Sequence, residues 1–192
     1  MADEVRPGYE LYFAYGSNML EQRLKERVDS AEFFSNAWIR CYEVRCRKKS
    51  IDGSGKADLV KTGNPEDIVH GVVYEFDPTD WGALDKHEGA TGNNPGYDRV
   101  PIQVHTGSGA LKVTTYLARE EKIDESLKPY TWYRDLILCG AEHHGLPVDC
   151  RRKIEAIPDI PDPDENRDSK KEAERQIREY IKTREPVSID RS

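Results

Sequence analysis

The chain has 192 residues, of which 36% are hydrophobic and 34% charged, and a formal net charge of −7. That length suits one domain with a buried core, or one domain with a tail. The acidic balance argues against nucleic acid or an anionic membrane as the main partner, because both attract basic faces. No apolar run approaches the ~18 residues of a membrane span.

The opening MADEVRPGYE is acidic and polar, unlike a secretory signal or a transit peptide. Cys41, Cys46, Cys139 and Cys150 form no C-x-x-C pair and match no common zinc spacing. They read as reduced thiols of a cytoplasmic protein.

Residues 9–15 read as a strand, apolar and aromatic, bounded by Gly8 and Gly16. A helix is expected from Met19 to Arg27, capped by Asn18 with Glu21 at the capping-box spacing. Residues 31–48 alternate in polarity and suggest one long or broken strand. IDGSG reads as a turn, ADLVKT as a strand, and IVHGVVYEF as a nearly continuous apolar strand of the buried kind. Asp77-Pro78 opens a short helix, TDWGALDKHE, that stops at Gly89. RVPIQVH and LKVTTYLA form a hairpin around TGSG. Pro129 opens a helix that ends at Gly145, and a shorter one surrounds VDCRRKIEAI. From Pro158 to Ser192 the chain becomes a Pro/Asp-rich linker and a charged helix with a thin stripe of Ala173, Ile177, Tyr180 and Ile181. That helix is expected on the surface, outside any catalytic part. Strands and helices mix without regular alternation, so the fold class is α+β. The expected division is a domain over 9–157 and a charged tail over 158–192.

Several motifs fail on inspection. Gly53–Lys56 lacks the upstream Gly and the following Ser or Thr of a P-loop, and no G-x-G-x-x-G follows a strand. Ser17 lies in Y-G-S-N, not in a nucleophile elbow. His143 and His144 are adjacent and should point different ways on a helix, and His70 sits in a strand, so no metal is expected.

Two segments carry chemistry. Around Tyr15-Gly16-Ser17-Asn18, a glycine exposes main-chain amides where a helix begins, a place able to take a carboxylate or a developing oxyanion. Taken alone, that is ordinary turn chemistry. Glu88 falls at the C-terminal end of its helix, where negative charge is disfavoured, with Trp81 and Leu84 able to wall it from water. Both effects would raise its pKa and suit a general base. Taken alone, it is an exposed Glu in a charged turn.

Together the motifs resemble a family. Y-G-S-N-M at Tyr15–Met19, D-x-x-E-G at Asp85–Gly89, Gly96-Tyr97, Y-x-x-x-I-x-x-G-A at Tyr133–Ala141 and H-G-L-P at His144–Pro147 occur in this order. In this the chain is similar to the animal γ-glutamylcyclotransferases of the AIG2-like superfamily, over roughly Tyr9 to Ile157. The resemblance implies a small mixed β-barrel flanked by helices, with a pocket at one end. It implies release of an amino acid from a γ-glutamyl amino acid with formation of 5-oxoproline, without a cofactor. It makes Glu88 the general base, places Tyr12, Phe13, Ala14, Tyr15, Gly16, Ser17 and Asn18 around the ligand, and adds Tyr133, with Tyr97 nearby. It also allows a homodimer. Asn18-Met19-Leu20 departs from the Y-G-S-L-x-W of glutathione-specific relatives, and Ser17-Asn18 departs from the Y-G-T-L of those acting on γ-glutamyl-ε-lysine. The loop GATGNNPG is longer than in the animal enzymes. The rival expectations are a cyclotransferase of other γ-glutamyl specificity, a non-catalytic binder of 5-oxoproline or a γ-glutamyl metabolite, and an interaction protein using the charged C-terminal helix.

Overall fold

A computed structural model describes residues 4–184, so the ends of the chain, including 185–192 of the tail, lie outside the described residues. Five strands close into a barrel in the order β1-β5-β2-β6-β7. They are β1 (Glu10–Ala14), β2 (Glu32–Arg40), β5 (Ile68–Phe76), β6 (Tyr97–Thr106) and β7 (Gly109–Ala118). Neighbours pair antiparallel except at closure, where β1 meets β7 in parallel at Tyr12 and Thr114. The barrel is therefore mixed, and its helices make the fold α+β.

The apolar run of β5 has a plain cause. It lies between β1 and β2, and Val72, Val73, Tyr74 and Phe76 are fully buried. At Gly71 a Cβ would lie 2.4 Å from the carbonyl oxygen of Ala14 and 2.6 Å from the Phe13 ring, so only glycine lets these strands approach.

The strand expected over residues 31–48 is broken at Cys41, whose φ of +66° turns the chain out of the barrel. Beyond it β3 (Tyr42–Lys49) pairs with β4 (Gly55–Lys61) as a separate hairpin. Helix α1 is shorter than expected, Glu21–Lys25, and follows a 3₁₀ turn at Ser17–Met19. Asn18 caps neither, because its side chain is bonded elsewhere. Helix α2 (Trp81–Glu88) stops at Gly89, which adopts the left-handed conformation at φ +66°.

Helix α3 (Thr131–His143) begins two residues beyond Pro129 and buries Trp132, Tyr133, Leu136 and Ile137. Truncating a fully buried leucine such as Leu136 typically costs about 2–5 kcal/mol. Gly140 seats the helix on the turn after β1, since a Cβ there would stand 2.6 Å from the Leu20 nitrogen. Helix α4 (Val148–Glu155) follows. Helix α5 (Asp168–Arg184) packs against α3, with Ala173 and Gln176 fully buried and Tyr180 nearly so, while Ile181 stays exposed. None of the helices among the described residues is long and apolar enough to cross a membrane.

Candidate active site

At one end of the barrel lies a cavity of about 350 Å³ lined by Ser17, Arg23, Arg27, Lys48, Lys56, Glu88, Tyr97 and Tyr133, among others. A niche of about 20 Å³ shares Ser17, Glu88, Tyr97 and Tyr133 with it and adds Tyr12, Tyr15, Gly16, Asn18, Ala57 and Tyr116. The shared walls make the niche the floor of one hollow.

Sheet register brings the floor together. β1 delivers Tyr12 and runs into the glycine turn, β6 starts at Tyr97, and α3 contributes Tyr133 from its first turn. The loop from Gly89 to Gly96 is tied at its neck by a 2.7 Å hydrogen bond from the Gly96 amide to the Gly89 carbonyl, so Glu88 and Tyr97 stand together. Phe13 and Ala14 line neither part of the hollow. Both are fully buried, with the Phe13 ring against Gly71.

Glu88 is held at one oxygen. Its Oε1 accepts from Asn18 Nδ2 at 2.9 Å and from Arg27 Nη1 at 3.1 Å. Arg27 also donates to Asn18 Oδ1 at 2.9 Å, closing a three-membered network. Both donors lack acceptor capacity on the atoms they present, so the oxygen they hold must accept. Oε2 has no protein partner among the described residues. The apolar wall expected for Glu88 is not there. Trp81 and Leu84 line neither part of the hollow, and the Trp81 indole donates to Glu10 instead.

The phenols of the floor are neutral, since burial raises the pKa of Tyr12, Tyr15, Tyr97, Tyr116 and Tyr133. Tyr15, Tyr97 and Tyr116 spend their protons on the Tyr116 carbonyl, the Ala57 carbonyl and Asp85. Tyr12 and Tyr133 instead accept, from Asn18 Nδ2 at 3.0 Å and from the Ala57 amide at 3.1 Å. Each therefore keeps its own O–H for a ligand. The 3₁₀ turn uses the carbonyls of Gly16 and Ser17, while the first amides of such a turn have no acceptor within it.

The mouth is cationic. Burial, with Arg27 beside it, lowers Arg23 to about 10, still charged at neutral pH. Lys48 and Lys56 are also lowered by burial. Arg167 and Ser169, from the start of the C-terminal helical segment, line the mouth as well.

The family model described as γ-glutamyl cyclotransferase, AIG2-like, matches residues 12–135, which contain this floor. The chain belongs to that family. γ-Glutamylcyclotransferases of Bos taurus and Homo sapiens are each 31% identical to it, over 77% of this chain and 78% of theirs. A solved γ-glutamyl cyclotransferase structure superposes with a TM-score of 0.78 at 27% identity, covering 89% of this chain and 99% of that one.

The family motifs do not reach Arg27, Arg23, Lys48, Lys56 or Arg167. One signal was available: Arg23 and Arg27 stand four apart, on one helical face, just after the glycine turn. Outside the hollow, the two adjacent histidines do not point different ways. His144 lies past the last helical turn, so its ring sits 4.7 Å from that of His143, and with Glu21 they place ligand-type atoms within 4.8 Å of one another. These atoms are engaged in hydrogen bonds, His143 Nε2 with Glu21 at 3.3 Å and His144 Nε2 with the Tyr74 hydroxyl at 2.8 Å.

Proposed function

We propose that this chain is a cyclotransferase that converts γ-glutamyl amino acids to 5-oxoproline and a free amino acid. The observation that carries this is the Glu88 carboxylate, pinned through Oε1 and left with Oε2 unpartnered, at the inner end of a hollow that also holds the glycine turn.

The reaction needs little apparatus. The α-amine and the γ-carbonyl belong to one molecule, so holding a bent conformer supplies much of the acceleration. The amine arrives as an ammonium and cannot attack. Glu88 Oε2 takes its proton, the amine nitrogen bonds to the γ-carbon, and a tetrahedral oxyanion forms. On collapse the bond to the leaving nitrogen breaks as Glu88 returns the proton to that nitrogen, and the second proton that the ring nitrogen sheds on becoming an amide follows to the freed amine, which departs as an ammonium. Water is neither consumed nor formed. The free O–H groups of Tyr12 and Tyr133 and the turn amides at Ser17 and Asn18 are donors for the oxyanion and for the glutamyl α-carboxylate. Arg27 and Asn18 keep the carboxylate aimed.

The test is release of 5-oxoproline from γ-glutamyl-alanine, with glutathione in parallel. Turnover of γ-glutamyl-alanine that disappears in Glu88→Gln is the expected outcome. Turnover of glutathione alone would mean another γ-glutamyl specificity, and binding of 5-oxoproline without turnover would mean a binding protein. Family membership also suggests a homodimer, which light scattering in solution checks.

A further inference from the structure

Five cationic side chains line the hollow, and four of them already have anionic or amide acceptors. Arg27 is on Glu88 and Asn18. Arg23 is on Gln176 at 2.9 Å and Glu172 at 3.5 Å. Lys56 is on Asp52 at 2.8 Å, and Arg167 on Asp162 at 2.7 Å. Lys48 has no carboxylate or carbonyl partner among the described residues. Its ammonium lies 4.7 Å from the centre of the Tyr97 ring, on the face of a floor residue.

That placement is built into the backbone. At Gly96 a Cβ would lie 2.5 Å from Lys48 Cε and 2.8 Å from Nζ, so the side chain passes only because the backbone there is bare. Lys48 is half-buried and loses hydration there, which lowers its pKa. Its ring contact compensates the lost water only in part. A cation held in that state, beside the general base, gains most from an incoming carboxylate.

We infer that Lys48 binds the α-carboxylate of the leaving amino acid and so makes the enzyme selective for γ-glutamyl amino acids over γ-glutamyl amides and amines. This inference rests on the function proposed above. The floor takes the glutamyl unit: its donors are neutral phenols and amides, and its one charge, Glu88, suits the ammonium. The second carboxylate of the substrate then falls toward the mouth, where Lys48 is, among the described residues lining it, the cation without an acceptor. The remaining four cations are matched by Glu172, Glu88, Asp52 and Asp162, so among these groups the uncompensated positive charge is that of Lys48.

The test is a two-by-two comparison of γ-glutamyl-alanine with γ-glutamyl-alaninamide, on the wild type and on Lys48→Met, which keeps the stem across Gly96 and removes the charge. Wild type is expected to prefer the carboxylate by roughly ten- to a hundredfold in kcat/KM, the usual worth of a charged hydrogen bond. Lys48→Met is expected to lose that preference, the two substrates falling to within about threefold of one another, and an unchanged thermal melt shows that it is folded. A wild type indifferent to the two substrates, an undiminished preference in Lys48→Met, or a preference lost in Arg167→Gln instead would each overturn the assignment of Lys48. Absence of 5-oxoproline from either substrate with wild type would overturn the cyclotransferase function itself, and Lys48 with it.

Discussion

At the floor of the hollow, five tyrosine hydroxyls are neutral and each meets a named partner; at the mouth, among the described residues, five cationic side chains arrive from four different stretches of chain. The floor is set by strand register and main-chain turns, which tolerate little displacement. The mouth is set by long side chains and their ion pairs, which can be exchanged one at a time. Chemistry that needs fixed distances belongs in the first region and selection among substrates in the second. Substitutions in the two regions should therefore fail differently, floor variants in turnover and mouth variants in affinity, preference or stability.

The sharpest test is Glu88→Gln. The amide retains an acceptor oxygen for Asn18 and Arg27, so the network can stay closed. What disappears is the proton acceptor at Oε2. Loss of general base catalysis typically costs about 10²–10⁴ in rate, and a fall of about 10³ in kcat is expected. Affinity for 5-oxoproline, measured by calorimetry, should stay within about tenfold. A comparable loss in both would mean that Glu88 mainly shapes the floor.

Gly16→Val probes the floor by volume. Gly16 has a negative φ of −117°, so the variant does not force a side chain into the left-handed region. A Cβ there would lie 3.3 Å from the Ala57 Cβ and 3.6 Å from the Tyr133 hydroxyl, and the branches of valine would fill a niche of about 20 Å³. An expected loss of about a hundredfold in kcat/KM, of the size of one lost oxyanion donor, would come with little change in Tm. Gly16→Ala should fall between the two. Wild-type kinetics in the valine variant would put the substrate elsewhere in the hollow.

The contrast also explains what could be read from sequence. The floor was legible because its residues sit in short contiguous motifs: Tyr12 to Asn18 along one strand and turn, Glu88 beside a helix-stopping glycine, Tyr97 at a strand start. Barrel strands were legible where one buried run such as β5 signals its place. The break at Cys41 was not, because nothing about a cysteine marks a positive φ. Asn18 has the composition of a cap, yet tertiary partners claimed its side chain. The mouth was least legible. Arg23, Lys48, Lys56 and Arg167 are far apart in sequence, and each resembles an ordinary surface charge until the fold gathers them. The tail expected to lie outside the site sends Arg167, just before the helix, and Ser169 to its rim, and Gln176 to Arg23.

Gln176→Leu sharpens the mouth side of the comparison. Gln176 is fully buried and bridges Arg23, Glu26 and Glu172, with contacts of 2.9, 2.6 and 3.1 Å. Arg23 already has an unpartnered buried Nε, so removing the amide leaves the guanidinium further undersupplied. A stability loss of about 1–3 kcal/mol is expected by urea titration. The accompanying kinetic change should be a rise in KM with kcat nearly kept. A collapse of kcat instead would tie this helix to the floor.

A pH–rate profile is the natural way to question Glu88, but the fold has an acid sensitivity of its own that must be separated from it. Burial, with His143 close by, lowers the His144 imidazole to about 4, while its ordinary value lies near 6.5. The folded state then resists a proton that the unfolded chain accepts. This contribution is complete above pH ~6.5 and is progressively lost as the pH falls toward 4. His144 is partly solvated, so about 1 kcal/mol after screening is a reasonable scale. Phe33 stacks on its ring at 5.0 Å, and the Tyr74 hydroxyl that meets Nε2 donates to the Met19 carbonyl at the end of the glycine turn, so the carbonyl keeps its donor when the imidazole is replaced. His144→Gln should therefore flatten the stability–pH curve between 7 and 4 while leaving the pH–rate profile in its place. If the variant moves the acid limb of activity as well, that limb reports unfolding, and the floor's own titration has to be sought in Glu88→Gln at a pH where the fold is intact.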